Sequence, residues 1–218
     1  MDFAYIGQLF TSLAGGLKYT VGLFAVTILF SVPLGLGLAF IRVGKNKFLN
    51  SITGGYILLM RGTPLLLQLF FFYYGVTFLP FVGEYITYSR FTAACIAFIL
   101  NYAAYFAEIF RGGMLSIDPG QKEAAKVLGF SKMQTVFRVI IPQMLRVSLP
   151  SLSNECITLV KDTALIASIS IADILFFAKA AVNRDFNVMG YVIAAIIYLV
   201  MTFGLTKLFS YLEKKFKF

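Results

Sequence analysis

Histidine is absent from the chain and cysteine nearly so: Cys95 and Cys156 are the only two in 218 residues, and both fall within apolar runs. A Cys/His zinc site and a disulfide framework are thereby excluded, and the cysteines read as small apolar packers. With no imidazole base, no metal-ligand cluster and no spacing that pairs a nucleophile with a base, a membrane-embedded enzyme has no support. The Gly-x4-Gly-Lys-Ser/Thr phosphate loop is missing as well, so the chain itself is expected neither to bind nor to hydrolyse ATP. The first residues lack the basic region and small-residue cleavage site of a signal peptide. Residues 1–16 therefore read as an amphipathic lead-in on the outer surface, and the first span is expected to direct insertion.

Charge is also scarce, at 13% of residues against 59% apolar, and the mean hydropathy is +0.83. Soluble domains are roughly half apolar, so the expected solvent is a bilayer. The uncharged runs 19–41, 62–83, 91–107 and 186–206 each approach the roughly 17 to 25 residues that cross hydrocarbon as a helix. A fifth run, 147–178, is long enough but carries Glu155, Lys161, Asp162 and Asp173. It reads as a span with a polar middle. The expectation is an all-α integral membrane protein, one transmembrane domain over 1–218, with about five transmembrane helices near 17–41, 62–82, 88–110, 147–178 and 187–208. No internal repeat or low-complexity segment is visible, and five spans do not divide into equal inverted halves. A self-contained carrier built from a tandem repeat is disfavoured, and a second copy or a homologue is expected to complete the path.

The cations alternate along the chain. One set of loops holds Arg42, Lys45 and Lys47, then Arg111, Lys122, Lys126, Lys132, Arg138 and Arg146, then Lys207, Lys214, Lys215 and Lys217; the opposite set holds only Lys18, Arg90, Lys179 and Arg184. The richer set faces the cytoplasm by the positive-inside rule, putting the N-terminus outside and the C-terminus inside. The net charge of +9 thus reports orientation and not nucleic-acid binding, because the cations sit at helix ends.

Polar residues inside apolar runs mark the candidate path. Pro33, Gly35 and Gly37 in the first span suit close helix packing, with Pro33 able to kink. Arg61, Gly62, Thr63 and Pro64 at a membrane boundary predict a broken helix whose freed backbone groups need partners. Asn101, Tyr105 and Glu108 share one helix face, and Arg111 stands three residues beyond Glu108. That glutamate either pairs locally or lines a cavity. In the fourth span Asn154, Thr158 and Lys161 form one stripe and Glu155, Thr158 and Asp162 another. Lys161 and Asp162 are adjacent and point about 100° apart, so they do not simply neutralise each other on one face. Charges at such depth face a bundle interior or an aqueous path, either paired to neighbouring helices or touching cargo.

Residues 118–146 are the polar exception in this oily chain. Asp118 with Pro119 and Gln121 reads as a capped helix start and Gly129 as its end. Ser131 with Gln134 repeats the device, and a second helix is expected to run to about Ile141 before Pro142. The product is a cytoplasmic hairpin within a loop of about 112–146. It is either a knob against another protein or a loop held on anionic lipid.

The spacing Glu123, Ala124, Ala125, x3, Gly129, x9, Val139, x, Ile141, Pro142 resembles the EAA loop of ABC-importer permeases, with conservative departures at Val139 and Ile141. Arg61-Gly62-Thr63-Pro64, Ala104-Tyr105-x2-Glu108-x2-Arg111-Gly112 and Lys161-Asp162-Thr163 extend the resemblance to the polar amino acid permeases of histidine, arginine and glutamine uptake systems. That resemblance implies the type I ABC importer permease fold and a multi-pass location in the bacterial cytoplasmic (inner) membrane. It also implies a working complex with two ABC ATPases, a second permease subunit, identical or homologous, and an extracytoplasmic amino-acid-binding protein. The resemblance further implies no cofactor in this chain, with ATP and magnesium on the ATPase. Gly120, Glu123, Ala124, Ala125 and Gly129 take the ATPase-coupling role by motif position.

For cargo, Gln68, Asn154, Glu155, Thr158, Asp162, Arg61 and Lys161 supply acid, cation and neutral hydrogen-bonding groups for a polar L-amino acid. The excess of acid leans toward arginine, lysine or histidine. Glutamine or glutamate as cargo, and an autonomous channel or ion-coupled carrier, are the alternatives.

Overall fold

The computed structural model describes residues 3–80, 83 and 88–216, and every regular element among them is helical. Residues 81 and 82 of the expected second span, Lys217 of the expected cytoplasmic charge set and Met1 of the expected lead-in lie outside the described residues.

Helix α1 (Phe3–Ala14) meets α2 (Leu17–Val43) through a turn at Gly15 and Gly16, and Phe3–Val43 forms one apolar stretch of 41 residues. The expected surface lead-in is therefore continuous with the first span. Its Leu9 and Leu13 are buried with Ile174, Ala178, Ile193 and Ile197 of the last two helices. Pro33 lies inside α2 without ending it.

Helix α5 (Arg90–Leu115) is the spine of the molecule. On one face Phe98, Tyr102, Phe106 and Phe110 recur every four residues, each at most 1% exposed, with successive ring centroids 6.2 to 6.4 Å apart. Against α2 it presents small residues. Thr20, Thr27, Ser31, Gly35 and Ala39 of α2 are buried, as are Ala93, Ala94, Ala97, Ala103, Ala104 and Ala107 of α5. Lipid offers no hydrophobic drive between helices, so close backbone approach between small residues supplies the attraction. Gly35 sets that approach: a Cβ there would lie 2.7 Å from Phe106 Cβ and 2.9 Å from the Ala103 carbonyl oxygen.

Among the described residues three apolar helices are long enough to cross a membrane, and up to five spans result if each of two bent pairs counts as one. In the first pair α3 (Lys47–Gly62) turns by 104° into α4 (Leu65–Phe70), which continues as a π turn and a 3-10 turn to Phe78. The expected span 62–82 thus begins at a break. Helix α3 starts where the Asn46 side chain accepts hydrogen bonds from the Phe48 and Leu49 amides at 3.1 and 3.2 Å.

The second bent pair places a break within the expected span 147–178. Helix α8 (Ile141–Asp162) runs on as a 3-10 segment, Thr163–Ile169, and stops at left-handed Ser170. The chain then turns 54° into α9 (Ile174–Asp185). Asp173 is a cap and not a polar interruption: fully buried, its carboxylate accepts from the Phe176 amide at 2.8 Å and the Tyr198 hydroxyl at 3.3 Å. Helix α10 (Met189–Phe216) extends beyond the expected 208, as α5 extends beyond 110.

Gly35→Leu is expected to force α2 and α5 apart and destabilise the protein by about 1–3 kcal/mol or more, read as a lowered melting temperature in detergent. An unchanged melting temperature would mean that this contact does not set the packing.

Candidate functional site

The break between α3 and α4 creates the site. Pro64 cannot continue α3 and donates no hydrogen bond, so the last carbonyls of α3 lose their helical partners. Inside a membrane those groups need partners from the protein. Two amides provide them. Gln68 Nε2 donates to the Met60 carbonyl at 2.9 Å and to the Thr63 hydroxyl at 2.8 Å, with the Thr63 carbonyl at 3.2 Å. Asn101 Nδ2, from α5, donates to the same Met60 carbonyl and to Gln68 Oε1, both at 2.9 Å. The Thr63 hydroxyl in turn donates to the Leu59 carbonyl at 2.8 Å. Asn101 and Gln68 are 3% and 7% exposed, so this is an interior cap that fixes the bend to the spine.

Beneath the bend is a cavity of about 640 Å³ between the break, α5 and α8. Arg61, Gly62 and Thr63 line it from the break, Asn101, Tyr102 and Tyr105 from α5, and Glu155, Thr158, Asp162 and Leu165 from α8 and its extension. The Glu155, Thr158, Asp162 stripe therefore faces it as a unit, at helical spacing. Asp162 Oδ2 accepts from the Tyr102 hydroxyl at 2.7 Å. Glu155 makes no hydrogen bond or ion pair among the described residues. Across the cavity the Arg61 guanidinium lies 5.2 Å from the centre of the Tyr105 ring, within cation–π range.

The other expected cargo residues are placed differently. Gln68 is committed to the cap. Asn154 and Lys161 are exposed and lie outside the lining, because their stripe is rotated about 100° from the one that faces the cavity. Glu108 makes the local pair: Arg111 Nε and Nη2 donate to its carboxylate at 2.9 and 2.7 Å, with Arg61 Nη1 3.9 Å away. Tyr102 was not singled out by the sequence, although a lone hydroxyl in the ladder Phe98, Tyr102, Phe106, Phe110 was the available signal.

The second candidate element is the hairpin. The Asp118 side chain accepts from the Gly120 amide at 2.7 Å and starts α6 (Pro119–Val127). Gln121 does not complete a capping box with Asp118 among the described residues: its Oε1 accepts from Gln143 Nε2 of α8 at 3.3 Å. Gly129, at φ +77°, ends α6 in a Schellman turn, with the Phe130 amide donating to the Ala125 carbonyl at 2.9 Å and the Gly129 amide to Lys126 at 3.0 Å. Ser131 and Gln134 form a complete capping box for α7 (Lys132–Thr135). The second helix does not end before Pro142. A π turn, Val136–Ile140, carries it into α8, where proline in the first turn has no helical amide bond to lose. Ala125 is buried, whereas Glu123, Ala124, Val127, Leu128, Met133 and Phe137 are exposed, an apolar tip ringed by charge. Glu123 forms no ion pair among the described residues.

Comparison with known proteins gives a consistent picture. The family model of binding-protein-dependent transport system inner membrane components matches residues 31–218. The octopine transport system permease of Rhizobium radiobacter is 36% identical, over 97% of this chain and 89% of its own. The L-cystine transport system permease of Bacillus subtilis is 39% identical, over 93% of this chain and 86% of its own. A crystal structure of an amino acid ABC transporter with histidines superposes with a TM-score of 0.87 at 34% identity, covering 99% of each chain.

Gln68→Leu is expected to leave the Met60 and Thr63 carbonyls under-satisfied at a cost of about 1–3 kcal/mol. The measurement is thermal unfolding in detergent, and a melting temperature equal to wild type would show that the bend does not depend on this side chain.

Proposed function

Because the chain belongs to the family of binding-protein-dependent transport system inner membrane components, we propose that its cavity carries polar L-amino acids, basic ones foremost, across the membrane into the cytoplasm. The chain is a permease subunit of an ABC importer and is not itself the ATPase; hydrolysis belongs to a separate subunit. On this reading the N-terminus is outside, the hairpin is cytoplasmic, and the complex holds two ATPases, a second permease subunit and an extracytoplasmic binding protein, in a bacterial inner membrane.

The observation that carries the cargo reading is Glu155. A half-buried carboxylate on a cavity wall, without a cation of its own, is costly in a low-dielectric setting and is relieved by a cationic guest. Asp162 is already engaged by Tyr102, which leaves Glu155 to meet the side-chain cation and Arg61 to meet the cargo carboxylate. The relative solved with histidines supports the same class, and the octopine and cystine relatives mark the breadth of cargo on this scaffold.

The hairpin supports the coupling role. Its apolar tip is exposed, while Ala125 is tucked inward and Gln121 is tied to Gln143, so a push on α6 reaches α8, the helix that carries Glu155 and Asp162. Exposed Glu123 is free to meet a cation on the ATPase.

With the complex reconstituted in liposomes, Glu155→Gln is expected to weaken arginine binding about tenfold, the loss of one charge-assisted bond, and to spare glutamine. Strongest binding of glutamine by wild type with a silent Glu155→Gln would overturn the basic preference. Transport by this chain without an ATPase would overturn the importer reading itself. Gly129→Leu places a side chain at positive φ, costing about 1–2 kcal/mol, and it and Glu123→Arg are expected to abolish most cargo-stimulated ATP hydrolysis; unchanged stimulation in both would exclude the hairpin as the coupling element.

A further inference from the structure

A second recess, of about 430 Å³, lies between α2, α3 and α5 and is lined by Arg42, Gly54, Ile57, Leu58, Arg61, Gly62 and Glu108. Arg61 and Gly62 line both this recess and the larger cavity. We propose that the recess is a second station for the cargo carboxylate, on the cytoplasmic side of the first and reached past Arg61 and Gly62. It rests on the importer reading above.

The charge balance of the recess calls for an anion. Its carboxylate, Glu108, is already held by two donors of Arg111, so the guanidinium groups of Arg42 and Arg61 are in excess. Arg42 is positioned from its other end: its Nη1 donates to the Asn50 carbonyl at 3.1 Å and to Asn50 Oδ1, and the Asn50 side-chain amide donates back to the Arg42 carbonyl at 2.8 Å. Its Nε is buried and has no hydrogen-bond partner among the described residues. The Arg42 guanidinium borders the recess together with Arg61, so a carboxylate there would meet two cations beside a glutamate that is already paired.

The passage is built from the two shared residues. Arg61 is held only loosely, 3.9 Å from Glu108 with its side chain 43% exposed, an arrangement worth little in itself. It is free to turn from one cavity to the other. A Cβ on Gly62 would meet no atom within 4 Å, so the space beside it is open and a larger side chain would fill it without a clash.

The test compares equilibrium arginine binding with single-turnover release into the lumen of liposomes that hold the whole complex. Arg42→Gln is expected to leave the binding constant within about twofold while slowing release about tenfold, the effect of losing one charge-assisted bond, and Gly62→Leu to slow release by the same factor by blocking access. Arg42→Lys should restore much of the rate, and Asn50→Ala, which removes the side-chain contacts but keeps the Arg42 guanidinium and its bond to the residue-50 carbonyl, should release at near the wild-type rate. Gly62→Leu keeps every hydrogen bond and guards against misfolding of the arginine variant. Wild-type release in both Arg42→Gln and Gly62→Leu overturns the station alone. So does a release rate that follows the phosphatidylglycerol content of the liposome and not Arg42, which assigns the recess to a lipid phosphate. A wild-type complex that carries no amino acid overturns the importer reading, and the carboxylate assignment with it.

Discussion

A helix broken inside a membrane survives only if its freed carbonyls are satisfied by the protein, and the rest of this structure follows from how that is done. Gln68 and Asn101 share the Met60 carbonyl and bond to one another. One amide comes from beyond the break and the other from the central helix, so the pair both ends α3 and fixes its end against α5. Arg61, the penultimate residue of α3, is delivered to the cavity wall by that cap. Without it, the 104° bend would leave carbonyls at the end of α3 without protein partners.

The spine explains why the cap has something rigid to hold. Helix α5 brings small residues and Phe106 close to α2, aromatic rings into the core and Asn101 to the bend. Tyr102 joins two of them, since its ring belongs to the aromatic ladder and its hydroxyl fixes Asp162 across the cavity. One acid of α8 is thus oriented by the protein, and the other, Glu155, has no hydrogen bond or ion pair among the described residues. The same α8 continues, through the π turn and Gln143, into the hairpin, so the acid pair and the hairpin are joined through one helix.

Much of this was legible in the residues. Arg61-Gly62-Thr63-Pro64 announced the break, the spacing of Glu155, Thr158 and Asp162 their common face, and Gly129 with Ser131 and Gln134 the hairpin. What was not legible is which polar groups the fold would consume. Gln68 and Asn154 are equally suitable hydrogen-bonding amides in sequence, yet one caps a helix and the other faces outward, because only the rotation of α8 and the angle of the bend decide. Asp173 likewise reads as a charge in a span until the chain turns there and needs a cap. The helix passes Pro142 because the π turn before it removes the amide bond that proline would have broken, a local geometry that spacing alone does not encode.

The central claim is that the Gln68–Asn101 cap acts as one unit that holds Arg61 on the cavity. A double-mutant cycle on arginine binding to the purified complex tests it most directly, with Gln68→Leu, Asn101→Leu and both together. If the cap is a unit, either change alone removes most of the effect of both, and the two losses fail to add by about 1 kcal/mol or more, as expected for residues in one hydrogen-bond network. Losses that simply add, or single variants that bind arginine as wild type does, would contradict it.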